Sequence, residues 1–205
     1  ELIKQKTLAD LKIKCIILKH SNIRERMSYA DELQFLGENE NRNKFISDLL
    51  IHLPGNTLCL YQLVEKHGKP LHEAVKKSQS EGFFDDRLRK VFFIYGKTST
   101  TEREDIRSIV EGETNSITIA SYGTFSTGIN IRNIHPSKSR IRVLQSIGRG
   151  LRQGENKNSV LIFDIADDLT FRGQSNFTLN HFQERINIYN TEQFEYEISK
   201  VKIRT

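Results

Sequence analysis

The 205-residue chain has only two cysteines, too few for a disulfide-stapled scaffold. Cys15 and Cys59 both lie inside apolar runs, which points to buried free thiols in a reducing compartment. No pair of cysteines or histidines has metal-site spacing, and the six histidines are scattered, so no metal site is expected from protein ligands. A secretory hydrophobic segment is lacking, and no apolar run approaches the roughly 20 residues needed to cross a bilayer. Internal repeats and low-complexity tracts are missing too. These absences lead us to expect a soluble cytoplasmic protein with no membrane partner.

What is present is a mild basic excess, +5 at neutral pH, which permits a polyanionic partner without demanding one. The length suits one full domain plus an extension. Short apolar runs alternate with helical patterns, predicting a parallel α/β sheet. Expected strands are Ile13 to Leu18, Thr57 to Tyr61, Val91 to Tyr95, Ser116 to Ala120 and Ser159 to Asp164. Lys19 to Asn43 reads as a polar stretch. A helix with Phe45, Ile46, Leu49, Leu50 and Leu53 on one side follows it, stopped by Pro54-Gly55. Another helix begins near Pro70. A third is expected behind a capping box in which Thr101 bonds the backbone of Glu104. Leu179, Phe182, Ile186 and Tyr189 recur at helical spacing, whereas Phe194, Tyr196 and Ile198 alternate like a strand.

The segment Gln145-Ser146-Ile147-Gly148-Arg149-Gly150-Leu151-Arg152 carries the most chemistry. Gln145, Arg149 and Arg152 fall on one stripe of a helix, suited to gripping phosphate. Ile141, Leu144, Ile147 and Leu151 form a neighbouring apolar stripe. Gly148 and Gly150 each cost about 1 kcal/mol against alanine in a helix, so something must approach closely or the helix must break there. Gly96-Lys97-Thr98 follows an apolar strand like a phosphate loop, but the first glycine of that motif would fall on Val91. Asp164 ends a strand as a magnesium-binding carboxylate would; without a phosphate loop it reads as structural, and Asp167 and Asp168 as solvated.

The pattern QxxGRxxR resembles the last signature motif of superfamily 2 helicases. Ile117 to Gln153 is similar to that family's paired fifth and sixth motifs. The likeness runs from about Leu11 to the C-terminus and lies nearest to phage recombination and repair helicases that migrate branched DNA. It implies a RecA-like parallel sheet flanked by helices, the second helicase domain, with a short C-terminal helix and strand extension. Residues 1–43 would form a connector and first strand, 44–170 the RecA-like domain, and 171–205 an extension packed on it. Arg149 and Arg152 would act as arginine fingers on ATP, with Gln145 orienting the same site and Gly128 and Asn130 alongside. Asn130 stands where the family usually has aspartate, which removes a charge. Gly96, Lys97, Thr98, Ser99, Arg103, Ser121, Tyr122 and Thr127 would face nucleic acid, with Lys138 a lesser candidate.

ATP and Mg²⁺ would be held mainly by an N-terminal RecA-like domain absent from this sequence, leaving the chain inactive alone. The implied partners are branched DNA or single/double-strand junctions. Between Asn130 and Gln145 the family usually carries a further buried strand for which this sequence has no apolar run; either the loop is shortened here or, the reading we favour, a segment is missing between His135 and Pro136. Two other readings fit the residues. One is a self-contained nucleotide-binding enzyme using Lys97, Thr98 and Asp164, and the other a non-enzymatic DNA-binding module.

Overall fold

The computed structural model describes residues 10–81, 89–121, 124 and 159–204. Its contacts divide the chain into two compact units, one formed by residues 1–33 and 132–205, the other by 34–131. These boundaries differ from those of the three segments expected from sequence.

In the first unit, β1 (Asp10–His20) lies between β5 (Ser159–Asp168) and β6 (Tyr196–Ile203), all three parallel. A central parallel strand is covered on both faces and therefore reads as a near-continuous apolar run; Ile13 and Cys15 to Leu18 are buried accordingly. Helix α5 (Phe177–Thr191) packs on β5, burying Phe182, Ile188 and Tyr189. Each such large apolar side chain contributes about 1.5–3 kcal/mol of burial free energy. The alternation from Phe194 does mark a strand, hydrogen-bonded to β1 and shifted towards the C-terminus.

The polar stretch from Lys19 to Asn43 contains an unexpected helix, α1 (Tyr29–Glu38). Ser28 opens it by accepting from the Asp31 amide and donating to the Asp31 carboxylate. Its buried Glu32 explains why periodicity missed it, because a charged residue stands where an apolar one would advertise the face.

The second unit holds a parallel sheet in the order β2 (Thr57–Tyr61), β4 (Ser116–Ser121), β3 (Lys90–Ile94). β2 and β4 are buried along their whole lengths. Helix α2 (Glu40–His52) is capped by the Asn39 side chain and packs on α3 (Lys69–Glu81), where Ser47 Oγ bonds Ala74 O and Ser78 Oγ. A π-helical turn at Val64–Gly68 leads into α3. Glycine is required there, since a Cβ at Gly68 would fall 2.5 Å from Tyr61 Cζ. Helix α4 (Thr100–Gly112) begins one residue before the expected cap, and Ser99 rather than Thr101 caps it, accepting from the Glu102 amide. Ser99 has the extended backbone an N-cap needs, whereas Thr101 is already inside the first turn.

Candidate nucleic-acid interface

The segment after β3 is a closed turn. The Thr98 amide donates to Tyr95 O at 3.0 Å, and Thr98 Oγ1 accepts from the Tyr95 amide at 3.1 Å. Arg103 Nη2 reaches back from α4 to Gly96 O at 3.0 Å and Tyr95 O at 3.4 Å. Gly96, Lys97 and Ser99 are exposed, Arg103 is half-buried and Thr98 is buried. Lys97 and the outer side of Ser99, at the start of α4, are therefore the groups of this turn that an anion can reach.

Ser121 ends β4 with its hydroxyl 2.6 Å from Thr124 Oγ1, both buried. It braces the chain where the fifth-motif segment starts. Tyr122, Thr127, Gly128, Asn130, Lys138, Gln145, Arg149 and Arg152 lie outside the described residues.

The turn does not serve a self-contained nucleotide site. Its Thr98 amide is spent on Tyr95 O and the buried Thr98 hydroxyl oxygen accepts from the Tyr95 amide, so neither group is presented at the surface to cradle a β-phosphate. Asp164 is fully buried and gripped by Arg185, with Nε to Oδ2 at 2.9 Å and Nη2 to Oδ1 at 2.8 Å, while Tyr189 Oη donates to Oδ2 at 2.9 Å. A carboxylate so occupied holds no magnesium, which agrees with its structural reading. Burial and the Asp164 charge together raise the Tyr189 phenol pKa, and burial pushes the neighbouring Cys15 thiol up to about 12. Among the described residues no group of three or more His, Cys, Asp or Glu side chains is placed to hold a metal.

Asp167 corrects an expectation: it is buried, not solvated, and pairs with His20 Nε2 at 2.9 Å. β5 extends four residues past Asp164, so Asp167 faces the interior at the end of the sheet. Asp168 is half-buried and accepts from the Thr170 amide.

Two charged residues with structural work went unnoticed in the sequence. Glu32 accepts from the Phe177 and Thr178 amides, the Thr178 hydroxyl and Asn176 Nδ2, so a carboxylate on α1 closes the positive end of α5. Arg89 donates to Leu50 O, Leu53 O, Gly55 O, Thr57 Oγ1 and Ser116 O. Burial pushes its guanidinium down to about 10, still well above neutrality, so the fork stays charged.

The fold is that of the C-terminal RecA-like domain of helicases. It matches the C-terminal domain of the DEAD-box protein Dbp5 with a TM-score of 0.53 at 14% identity, over 96% of this chain and 91% of that one. It also matches a fragment of an HsdR subunit of a type I restriction enzyme from Vibrio vulnificus YJ016, TM-score 0.63 at 16% identity, over 99% of this chain and 38% of that one. The yeast DEAD-box splicing factor Prp28 matches with a TM-score of 0.56 at 13% identity, over 91% and 35% respectively. No protein-family model matches the chain.

In sequence the chain is similar to the ATP-dependent DNA helicase uvsW of Enterobacteria phage T4, 28% identical over 226 residues. That alignment takes in 99% of this chain and 43% of the relative, so the chain spans less than half of the curated relative's length. The similarity to this phage DNA helicase thus takes in the QSIGRGLR motif and nearly the whole of the chain. Among the described residues no helix is long and apolar enough to cross a membrane.

Proposed function

We propose that the chain is the second RecA-like motor domain of an ATP-dependent DNA helicase or translocase that acts on branched DNA in recombination and repair. The observation that carries this reading is the sequence similarity to a phage DNA helicase along 99% of the chain. The RecA-like sheet supports it independently. Bound ATP with magnesium, held mainly by a first RecA-like domain, supplies the hydrolysable phosphoanhydride bond.

Arg149 and Arg152 each carry a planar, permanently charged donor fork suited to charge spreading over a transferring phosphoryl group, and Gln145 orients the same site. Gly128 and Asn130 stand beside them along the sequence motif. Lys97, Ser99 and the start of α4 offer a lysine, a hydroxyl and a helix N-terminus to one DNA strand, and Arg103 holds that turn in shape. Tyr122 and Thr127 continue the DNA track, and the buried Ser121 hydroxyl, bonded to Thr124, braces the end of β4 before them.

The test is substitution of Arg152 by alanine in the full-length protein. ATP turnover should fall by about 10³-fold or more while DNA affinity changes little. Unchanged turnover would remove the arginine-finger assignment. The 205-residue chain by itself should hydrolyse essentially no ATP, and robust hydrolysis by it would overturn the division of the active site between two domains.

A further inference from the structure

The three strands of the first unit build a cationic surface on one face of their sheet. In a parallel ladder, residues in register point to the same side, and the side alternates along each strand. Cys15 is in register with Asp164 and Ile198, and Lys19 with Asp168 and Lys202, while Lys200 lies between Ile198 and Lys202 on the same alternation. The charged side chains on this face are therefore Asp164, Asp168, Lys19, Lys200 and Lys202. Arg185 neutralises Asp164. Asp168 is half-buried and accepts from the Thr170 amide, which leaves one carboxylate against three exposed lysines.

These lysines do nothing for the fold. Among the described residues none of the three forms an ion pair or a side-chain hydrogen bond. Lys19 and Lys202 stand directly opposite each other on strands about 4.8 Å apart, and like charges so placed destabilise a sheet. Edge strands often carry lysine to block aggregation, and among the described residues β6 is an edge strand. That accounts for Lys200 and Lys202 but not for Lys19, which belongs to the central strand β1. Lys19 and Lys202 also lie at the carboxyl ends of their strands, the end at which open parallel sheets bind ligands.

We propose that this face holds the phosphate backbone of duplex DNA, with Lys19, Lys200 and Lys202 each meeting a phosphate. Lys200 and Lys202 are about 6.6 Å apart along β6, close to the rise of two nucleotides in one B-form strand, so one backbone can occupy both. Duplex is favoured over single strand by what the face lacks, because single-strand binders stack bases on aromatic rings. Tyr196 is half-buried with its hydroxyl on Asn190, and the exposed apolar residue of this face is aliphatic, Ile198. The exposed rings of Tyr29 and Phe177 meet each other on α1 and α5 instead. Contact with backbone alone gives affinity without regard to sequence, as an enzyme that moves along DNA requires. The inference rests on reading the chain as a DNA-handling domain, and it adds a surface to the residues that motif likeness assigns.

The experiment measures fluorescence anisotropy of a labelled blunt-ended duplex with the full-length protein across a salt series. Lys19→Gln, Lys200→Gln and Lys202→Gln should each lower the slope of log affinity against log salt by about 0.9, and the triple variant by about 2.7. Because Lys19→Gln and Lys202→Gln relieve a like-charge pair, they should melt no lower than the wild type, so the loss of binding is not a loss of folding. In the wild-type protein, which needs no variant to fold, saturating duplex should shield the three lysines from acetylation read by mass spectrometry. An unchanged salt slope in the triple variant, or equal acetylation with and without duplex, overturns the proposal. So does a triple variant that self-associates in sedimentation while keeping its affinity for duplex, since the lysines then only guard an edge. A slope that falls for oligothymidine but not for duplex makes the face a single-strand site and refutes the proposal as well. If Lys97→Ala weakens binding while the triple variant does not, this face is wrong and the proposed function stands. If the wild type binds no DNA, both fall.

Discussion

Replacing Arg89 by methionine should destabilise the protein by about 3–5 kcal/mol, although nothing in the proposed chemistry touches this residue. The guanidinium bonds five acceptors, with distances of 2.7 Å to Leu53 O, 2.9 Å to Thr57 Oγ1 and 2.8 Å to Ser116 O. Leu50 O is one of the carbonyls that a helix leaves unpaired at its C-terminal end, and Leu53 O and Gly55 O belong to the chain leaving α2. Arg89 is thus the cap of α2 and the tie between that helix end, β2 and β4.

Hydrogen bonds to a charged group contribute about 1.5–3 kcal/mol each, but five such values cannot simply be summed. Removing the cation also returns its desolvation cost, and water reaches some of the carbonyls. Each buried acceptor left without a donor costs about 1–3 kcal/mol, so with partial rehydration of the five we adopt about 3–5 kcal/mol in total. At about 2–4 °C per kcal/mol for a protein of this size, the melting temperature should fall by about 6–20 °C. Urea unfolding followed by circular dichroism should show a lower midpoint at unchanged slope. Lysine, with one ammonium in place of a fork, should recover only part of the loss. A loss below about 1 kcal/mol for Arg89→Met would refute the capping role.

Further outcomes follow from the same structure. Arg185→Met strands the Asp164 carboxylate in the interior and should cost about 3–5 kcal/mol, most of it regained by adding Asp164→Leu; a double-mutant cycle by urea titration measures the coupling. Burial pushes both the Cys15 and Cys59 thiols up to about 12, so a thiol reagent at pH 8 should modify neither in the native protein and both in denaturant. His72 stacks on Phe93 with centroids 4.9 Å apart, and burial, then Lys76, lowers its pKa below 6.5. The unfolded chain therefore binds the proton first, so His72 contributes stability above about pH 6.5 that is lost as pH falls towards its folded value. Melting temperatures between pH 8 and pH 5 should decline less in His72→Gln than in the wild type.

Strands were legible in the sequence because parallel strands buried on both faces must be apolar throughout, and TLCLY at Thr57–Tyr61 begins and ends where it was expected. The QSIGRGLR motif was legible for a different reason: phosphate chemistry needs particular residue types at particular spacings. Helix α1 was not, since a buried glutamate on its inner face looks like a solvated one until its partners on α5 are known.

Composition and pattern alone determined the α/β class, the positions of the strands and the family likeness. Those follow from local period and from residue types that a short segment must carry. Only the tertiary structure decided that Asp164 pairs with Arg185, that Arg89 caps a helix, and that Tyr29 and Phe177 share one surface. Each of those roles depends on partners 21 to 148 residues away. A charge or ring takes its function from what the fold brings to it, and that distance in sequence leaves no periodic trace.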